Sequence, residues 1–570
     1  MPRLPARDEL LNYEQAKTLR SPYESQWRMA AAYVRPQQLS RWQTTGPVIE
    51  GQNTEARRYA YDATGVNSIL KYKAVLHRIA TPDGLLWHRC EADNKALMKI
   101  SQVRTFFDDL TKLLFKMRYS PRAGFSQARG ETYGNMGVYG NGPYSLTWRK
   151  PTPLDRRGGF RYQAWPMSDI FVLPDDEGMA STFYRRFYLN ARQFKLKFGE
   201  ERAPANGVIA AELKKPNPDE GRKFEIVHIV KLRDDYDPNH LSARRHPYCS
   251  NYIAVEGADY VKEEEGFLTQ LYIMPRTDTD AGDTYAYSPS MQALPALGGV
   301  NAAKKTMTKV GHRAADPVLL ANDDGALSGR LDQRPGRTIW GGLDSQGRKM
   351  VAALETGANF RVAEKIIEDE RKDIREAYHA TLFDILLETG EMKATQVMER
   401  MAKETSLLAP LMGRQQTEDL GPSIEREVAL LREHGYIVNY GEQGAPGALE
   451  LPPELVEAEG EYSIAYTSPL AKNLSLDEVN AYFRLQEQLA AKAAAVGNTD
   501  VLEWLNEDEA IPAIADITAI PSRWIRTPEQ MAARAEQSRK QQMDSEMLAQ
   551  APAAASVITT SMKGDNKIAA

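Results

Sequence analysis

Two cysteines in 570 residues, Cys90 and Cys249, leave no room for a disulfide framework or a thiolate-rich metal site. Long apolar runs are missing too. Stretches such as Ile511 to Ile520 are short and interrupted, far below the roughly 18 to 20 residues a membrane span needs. The opening segment Met-Pro-Arg-Leu-Pro-Ala-Arg-Asp-Glu-Leu lacks the apolar core and small-residue cleavage site of a secretory signal, so synthesis in a cytoplasm is expected. Charge of one sign is not in excess: 72 basic residues stand against 77 acidic ones, a formal charge of -5. That balance argues against a protein whose main task is to grip nucleic acid through its phosphates.

Catalytic signatures are also lacking. Among His77, His88, His228, His240, His246, His312, His379 and His434, no two stand at i, i+4 or in a zinc spacing. Asp278, Asp280 and Asp283 begin like a calcium loop, but Gly282 comes one place early and Pro289 stands where the bidentate Glu belongs, so a polar turn is the better reading. Ser68-Ile-Leu-Lys71 has the serine and lysine spacing of penicillin-binding enzymes without their companion elements. Gly134, Gly137, Gly140 and Gly142 form neither a Walker loop nor a dinucleotide fingerprint, and read as a turn where helix gives way to sheet. No catalytic, metal-binding or cofactor-binding residue is therefore expected. The alternative reading, a cytoplasmic metal-dependent hydrolase or nuclease, has no supporting motif, and a helical DNA-binding module would need a basic domain.

What is present is ordinary globular chemistry. Hydrophobic residues make up 42% and charged residues 26%, enough for real cores, and the length asks for about three or four folded units. The fold class is α+β. In the first ~120 residues apolar positions recur at helical spacing. Tyr23, Trp27, Ala30 and Val34 share one face, with Pro22 at the expected start and Pro36 at the stop. Asp62 to Ala80 turns Val66, Ile69, Leu70 and Ile79 inward. Val103, Phe106, Phe107, Leu110, Leu113, Leu114 and Met117 form a third stripe. From Gly130 to Arg276 the period shortens to extended runs broken by Gly, Pro and Asp, predicting antiparallel strands at Phe160 to Trp165, Phe183 to Leu189, Phe224 to Leu232, Tyr252 to Val255 and Leu268 to Met274.

A helix is predicted near Leu294 to Ala315. Pro317 to Gly357, rich in Gly, Asp and Arg, carries only strands and loops. Asn359 to Glu388 then reads as the longest helix, with Val362, Ile366, Ile374, Tyr378, Leu382 and Ile385 inward. A sharp break at Glu388 to Lys393 leads to a second long helix, with Val397, Met401, Leu408 and Leu411 inward and a kink near Gly421-Pro422. Residues 441–460 read as a linker, Ser475-Leu-Asp-Glu478 as a capping box, and 551–570 as a mobile tail. Lys304, Lys305, Lys309, His312 and Arg313 share one helical sector, a basic stripe. The later helix offers Glu364, Glu368, Asp369, Asp373 and Glu376 among its cations. The plain reading of both is a solvated helix face.

The order of local patterns carries a resemblance. It runs from Tyr23-Glu-Ser-Gln-Trp27 and Tyr33-Val-Arg-Pro36 through Tyr61-Asp-Ala-Thr64, Thr81-Pro-Asp-Gly-Leu-Leu-Trp87 and Tyr133-Gly-Asn-Met-Gly-Val-Tyr139. It continues with the Ala191 to Gly199 segment, Ala293-Leu-Pro-Ala-Leu297, Asp316-Pro-Val-Leu-Leu320, Arg334-Pro-Gly336 and Lys393-Ala-Thr-Gln-Val-Met-Glu-Arg400. Over about residues 20 to 435 the chain resembles the portal, or head-to-tail connector, family of short-tailed, T7-like (podovirus) bacteriophages.

The resemblance implies a non-enzymatic ring of identical subunits, usually a dodecamer, in the virion at one capsid vertex. Double-stranded DNA would be packaged and ejected through it. The implied subunit is a helix-rich wing with antiparallel strands (1–290), stem helix 1 (291–316), an α/β clip (317–358), stem helix 2 (359–387), a tunnel loop (388–394), a long kinked helix returning to the wing (395–470) and a C-terminal helical crown (471–550). Glu388, Thr389, Gly390, Glu391, Met392 and Lys393 would contact DNA without sequence preference. Glu364 and Glu368 would face the lumen or pair with Lys304, Lys305 and Lys309 of a neighbouring subunit. Arg330, Arg334 and Arg337 of the clip would dock the terminase large subunit and later the head-tail adaptor or tail proteins. Capsid and scaffolding proteins are further implied partners; no cofactor and no membrane are.

Overall fold

The computed structural model describes residues 4–43, 60–151, 158–203, 207–215, 219, 221–233, 236, 245–262, 264–316, 318–321, 338, 343, 345–353, 360–380, 410–457, 462–466 and 481–492, with isolated positions between 510 and 540. The chain divides into two compact units, one of Met1–Arg78 with Arg118–Leu430, the other of Ile79–Met117 with Leu431–Ala570.

In the first unit an antiparallel sheet runs in the order Ile170–Pro174, Ala180–Asn190, Lys223–Leu232, Tyr248–Ala254 and Asp259–Tyr260, and Glu265–Phe267 also pairs with Tyr248–Ala254. Strand alternation divides its side chains. Tyr184, Val227, Ile229 and Ile253 meet Tyr13 and Ala16 of the first helix on one face, while Phe224, Ile226 and Ala254 meet Phe194 and Phe198 of the short helix Ala191–Phe198 in a separate cluster. A smaller antiparallel sheet joins Tyr272–Ile273, Tyr144–Arg149 and Gly159–Ala164. Of the expected strand Leu268 to Met274, only Tyr272–Ile273 is extended, in the smaller sheet; the residues before it are bends and irregular chain, and Glu265–Phe267 pairs with the larger sheet instead. In the second unit His88–Ala92 pairs antiparallel with Tyr462–Tyr466, and the Cys90 amide donates to Thr111 Oγ1 at 3.1 Å on the helix Ser101–Arg118. Val103, Phe106, Phe107, Leu110 and Leu114 of that helix are buried as its stripe predicts.

Several expectations need correction. Pro22 does not start the first helix; it lies inside one of 29 residues, Ala6–Val34. A mid-helix proline removes a backbone hydrogen bond, but the helix is tied down on both sides of it. Trp27 and Ala30 are buried after it, and Arg20 before it donates from Nη1 to the carbonyls of Met167, Ser168 and Ile170 at 3.1, 3.1 and 2.8 Å. Leu70 points outward at 49% exposure, because the buried face of Thr64–Ala80 runs through Ile69, Tyr72, Leu76 and Ile79, nearly opposite to it. Gly134 and Gly137 are not turn residues. They sit within the helix Phe125–Tyr139, where a Cβ on Gly137 would meet Ile69 Cδ1 at 2.2 Å and one on Gly134 would meet Arg35. Gly140 is the helix terminator, at a left-handed φ of 77°. Residues 381–409, 467–480 and 551–570, and with them the break after Glu388, the capping box and the tail, lie outside the described residues.

Candidate functional site

The helix pair that the sequence singles out is Leu294–Ala315 and Phe360–Ala377, packed along one another within the first unit. Pro295 lies in the first turn of the earlier helix, where its missing N–H costs nothing. Gly299 permits close approach, since a Cβ there would meet Glu370 Oε1 of the second helix at 2.8 Å. The second helix stops at Ala377, shorter than expected. His379 beyond it takes a left-handed φ of 52°, which helical backbone excludes. The inward stripe is also shifted. Ile367, Ile374 and Tyr378 are buried, whereas Val362 and Ile366 are 54% and 48% exposed; on a helix those two lie well around from the line joining Ile367 and Ile374.

One carboxylate ties the pair together. Asp62 is buried just before the helix Thr64–Ala80, and its Oδ1 accepts the Thr64 amide at 2.8 Å as a helix cap. Its Oδ2 accepts Lys304 Nζ at 3.1 Å from the first helix of the pair, and Arg371 Nη2 and Nε at 2.5 and 3.2 Å from the second. The chain reaching this point is held by Asn301, whose Oδ1 accepts the amides of Tyr61 and Asp62 at 2.7 and 2.9 Å. Burial alone would raise the Asp62 pKa, but hydrogen bonds from Arg371, Thr64 and Lys304 hold it well below the usual carboxylate range. A second tie joins the Tyr378 hydroxyl to Ser290 Oγ.

Past this root Lys372 pairs with Glu376 at 3.6 Å along the second helix, but other charges find no such partner among the described residues. Lys305 and Lys309 on one helix and Glu364 and Glu368 on the other are exposed and make no ion pair among the described residues; Lys305 Nζ lies 5.6 Å from the Tyr61 ring centroid. Between the helices, Leu319–Ala321 and Val351–Ala353 form an antiparallel ladder that closes the ends of the intervening segment. Arg330, Arg334 and Arg337 within that segment, and Glu388 to Lys393 after the pair, lie outside the described residues.

Sequence reasoning missed a row of buried ion pairs along residues 410–433, a helix whose Gln416–Leu420 turn is π-helical where a kink near Gly421 was expected. Arg276 grips Glu418 through two bonds, at 2.8 and 2.9 Å. Arg129 pairs with Asp419, which also accepts the Tyr144 hydroxyl at 2.8 Å. Arg118 holds Glu427 at 2.5 and 3.0 Å, both side chains fully buried, with the Tyr162 hydroxyl on the same carboxylate. Burial disfavours the Arg118 charge, but Glu427 and the Tyr162 and Tyr119 hydroxyls together outweigh it and raise the pKa. The available signal was Asp419, Ser423 and Glu427 at spacings of four, a pattern shared with solvent-facing helices.

No helix among the described residues is long and apolar enough to cross a membrane, and none of their acidic, histidine or cysteine side chains form a group that could hold a metal ion. The chain belongs to the bacteriophage head to tail connecting protein family, whose pattern matches residues 8–525. It is 22% identical over 549 residues to the portal protein of Salmonella phage epsilon15, covering 95% of this chain and 92% of that one. It is likewise 22% identical over 556 residues to a probable portal protein of Bordetella phage BPP-1, with the same coverages. Among solved structures, the neck of an empty gene transfer agent particle covers 84% of this chain and 96% of its own at 13% identity, with a TM-score of 0.37.

Proposed function

We propose that the chain is the portal subunit of a short-tailed phage, a structural component that assembles as a ring, in the dodecameric form, at one capsid vertex. The observation that carries this reading is the family match over residues 8–525, joined to a helix pair on which Lys305, Lys309, Glu364 and Glu368 make no ion pair among the described residues and Val362 and Ile366 are exposed. In this reading Leu294–Ala315 and Phe360–Ala377 belong to the stem, and the laddered segment between them is the clip. Lys304 is already bonded to Asp62, so pairing between neighbours falls to Lys305 and Lys309 against Glu364 and Glu368, with Val362 and Ile366 covered by the adjacent copy. Stem acids not so paired face the lumen, where duplex DNA has to slide. A tunnel dominated by fixed positive charge would release condensed counterions and bind the duplex tightly, so a mildly acidic wall suits passage.

The segment Glu388 to Lys393 is the tunnel loop in this reading, and Arg330, Arg334 and Arg337 are clip residues that dock the terminase large subunit and then adaptor or tail proteins. Capsid and scaffolding proteins are partners at the vertex, and the host bacterial cytoplasm is the site of synthesis. Electron microscopy of the purified full chain tests the ring directly: rings with a central hole are expected, and a population of closed monomeric globules would contradict them. Deleting Thr389 to Met392 should impair packaging or retention of DNA with rings intact; normal packaging and retention would remove the loop assignment.

A further inference from the structure

Surface cations around the larger sheet are mostly neutralised. Lys195 pairs with Glu200 at 2.8 Å, Arg233 with Glu264 at 3.0 Å, and Lys262 with Glu265. Arg185 and Lys197 are different: no carboxylate among the described residues lies within ion-pair reach of either. Both sit on the sheet face opposite the first helix, and they share an aromatic floor. The Arg185 guanidinium lies 3.4 Å above the Trp165 ring and 4.8 Å from Phe187. Lys197 Nζ lies 4.1 Å from Phe187 and 5.6 Å from Tyr252. Behind Tyr252, the buried ring of His228 stacks in parallel at 4.1 Å, fixing the floor from below. Partial burial, with Arg185 and Lys262 nearby, pushes the Lys197 pKa down to about 8, as expected of a cation facing cations without a counter-charge.

We propose that Arg185 and Lys197 form a docking site for a short acidic peptide segment of a partner protein. Arg185 Nη1 donates to the Tyr272 hydroxyl at 3.5 Å, a guanidinium seated over an indole has further N–H groups to offer a carboxylate, and Lys197 supplies a second point charge beside it. Two carboxylates close together on one segment match this pair. A phosphate backbone matches it poorly, since its charges repeat and would need further free cations, whereas Lys195, Arg233 and Lys262 are already neutralised. The inference goes beyond the ring reading and does not depend on it.

The test uses the full-length protein and a short fluorescein-labelled oligoglutamate peptide, followed by fluorescence anisotropy. Replacing both residues, Arg185→Gln with Lys197→Gln, should weaken binding about tenfold or more. Replacing Lys195→Gln with Lys262→Gln should leave it close to the parent value, and Arg185→Lys should restore part of it. Binding to the parent should weaken as pH rises through about 8, where Lys197 loses its proton, and that dependence should vanish in Lys197→Gln. Unchanged peptide binding in the double variant overturns the proposal. So does a labelled short DNA duplex that loses affinity in the double variant while the peptide does not, because the site would then read phosphates. Near-ultraviolet circular dichroism and ring images of the same samples show that the variants fold and assemble, so failure here leaves the portal reading untouched.

Discussion

Residues 410–430 and the pair Leu294–Ala315 with Phe360–Ala377 are all helical and all rich in charge, yet they treat it in opposite ways. Along the first, Glu418, Asp419 and Glu427 each meet a buried or nearly buried arginine of the same subunit. Along the second, pairing within the subunit at Asp62 gives way to exposed Lys305, Lys309, Glu364 and Glu368 beside exposed Val362 and Ile366. A buried ion pair contributes little net stability over an apolar pair, but it penalises any arrangement that separates the partners. The first region is thus committed to one internal geometry, whereas in the second Lys305, Lys309, Glu364 and Glu368 have no ion-pair partner among the described residues.

The largest expected effect tests the first half of that contrast. Glu427→Ala leaves the Arg118 guanidinium buried without its counter-charge and should cost about 3 to 5 kcal/mol, read as a lower urea midpoint. Replacing the pair together, Arg118→Met with Glu427→Leu, should recover most of it. A single variant as stable as the parent would mean the pair contributes no constraint.

Asp62→Ala should cost less, about 2 kcal/mol, from loss of charge-assisted bonds to the helix pair. Its folded pKa lies below the ordinary value, so this contribution is complete above the ordinary carboxylate range near about 4 and is lost as pH falls toward the folded value. Asp62→Asn should therefore flatten the acid limb of the stability profile; an unchanged acid limb would show that other groups set it.

How much of this contrast the sequence displays differs between the regions for a physical reason. Both helices of the pair are legible, because period and length announce them, and so are four of the five proposed strands. Val362 and Ile366 misled because an apolar residue on a helix reads as buried from its period alone, whereas both are about half exposed here. Asp419 and Glu427 misled in the opposite sense: a carboxylate is expected in water, and only the arginines at positions 118 and 129, some 300 residues away in sequence, reverse that. Long-range pairing of this kind leaves no local period to read. Pro22 shows the same limit, since its helix continues through contacts of Arg20 with Met167, Ser168 and Ile170.

A charge reversal sharpens the second half of the comparison. Lys305→Glu with Lys309→Glu should change subunit stability by no more than about 0.5 kcal/mol yet lower the fraction of chains in rings, and the matching reversal Glu364→Lys with Glu368→Lys should restore it. Rings unaffected by the first pair would rule out pairing between neighbours. The two glycines of close approach should separate from one another. Gly137→Ala drives a Cβ into Ile69 and Tyr72 and should cost about 1 to 3 kcal/mol. Gly299→Ala meets only the movable end of Glu370 and should be neutral or gain up to about 1 kcal/mol in helix propensity.

The most direct test is the state of the purified parent protein under the electron microscope, beside the Lys305 and Lys309 reversal. The parent is expected to form closed rings with an open centre, and the reversed chain to remain largely as folded monomers. A parent that stays monomeric and folded, with its helix pair covered by nothing, would contradict a surface kept for neighbouring copies.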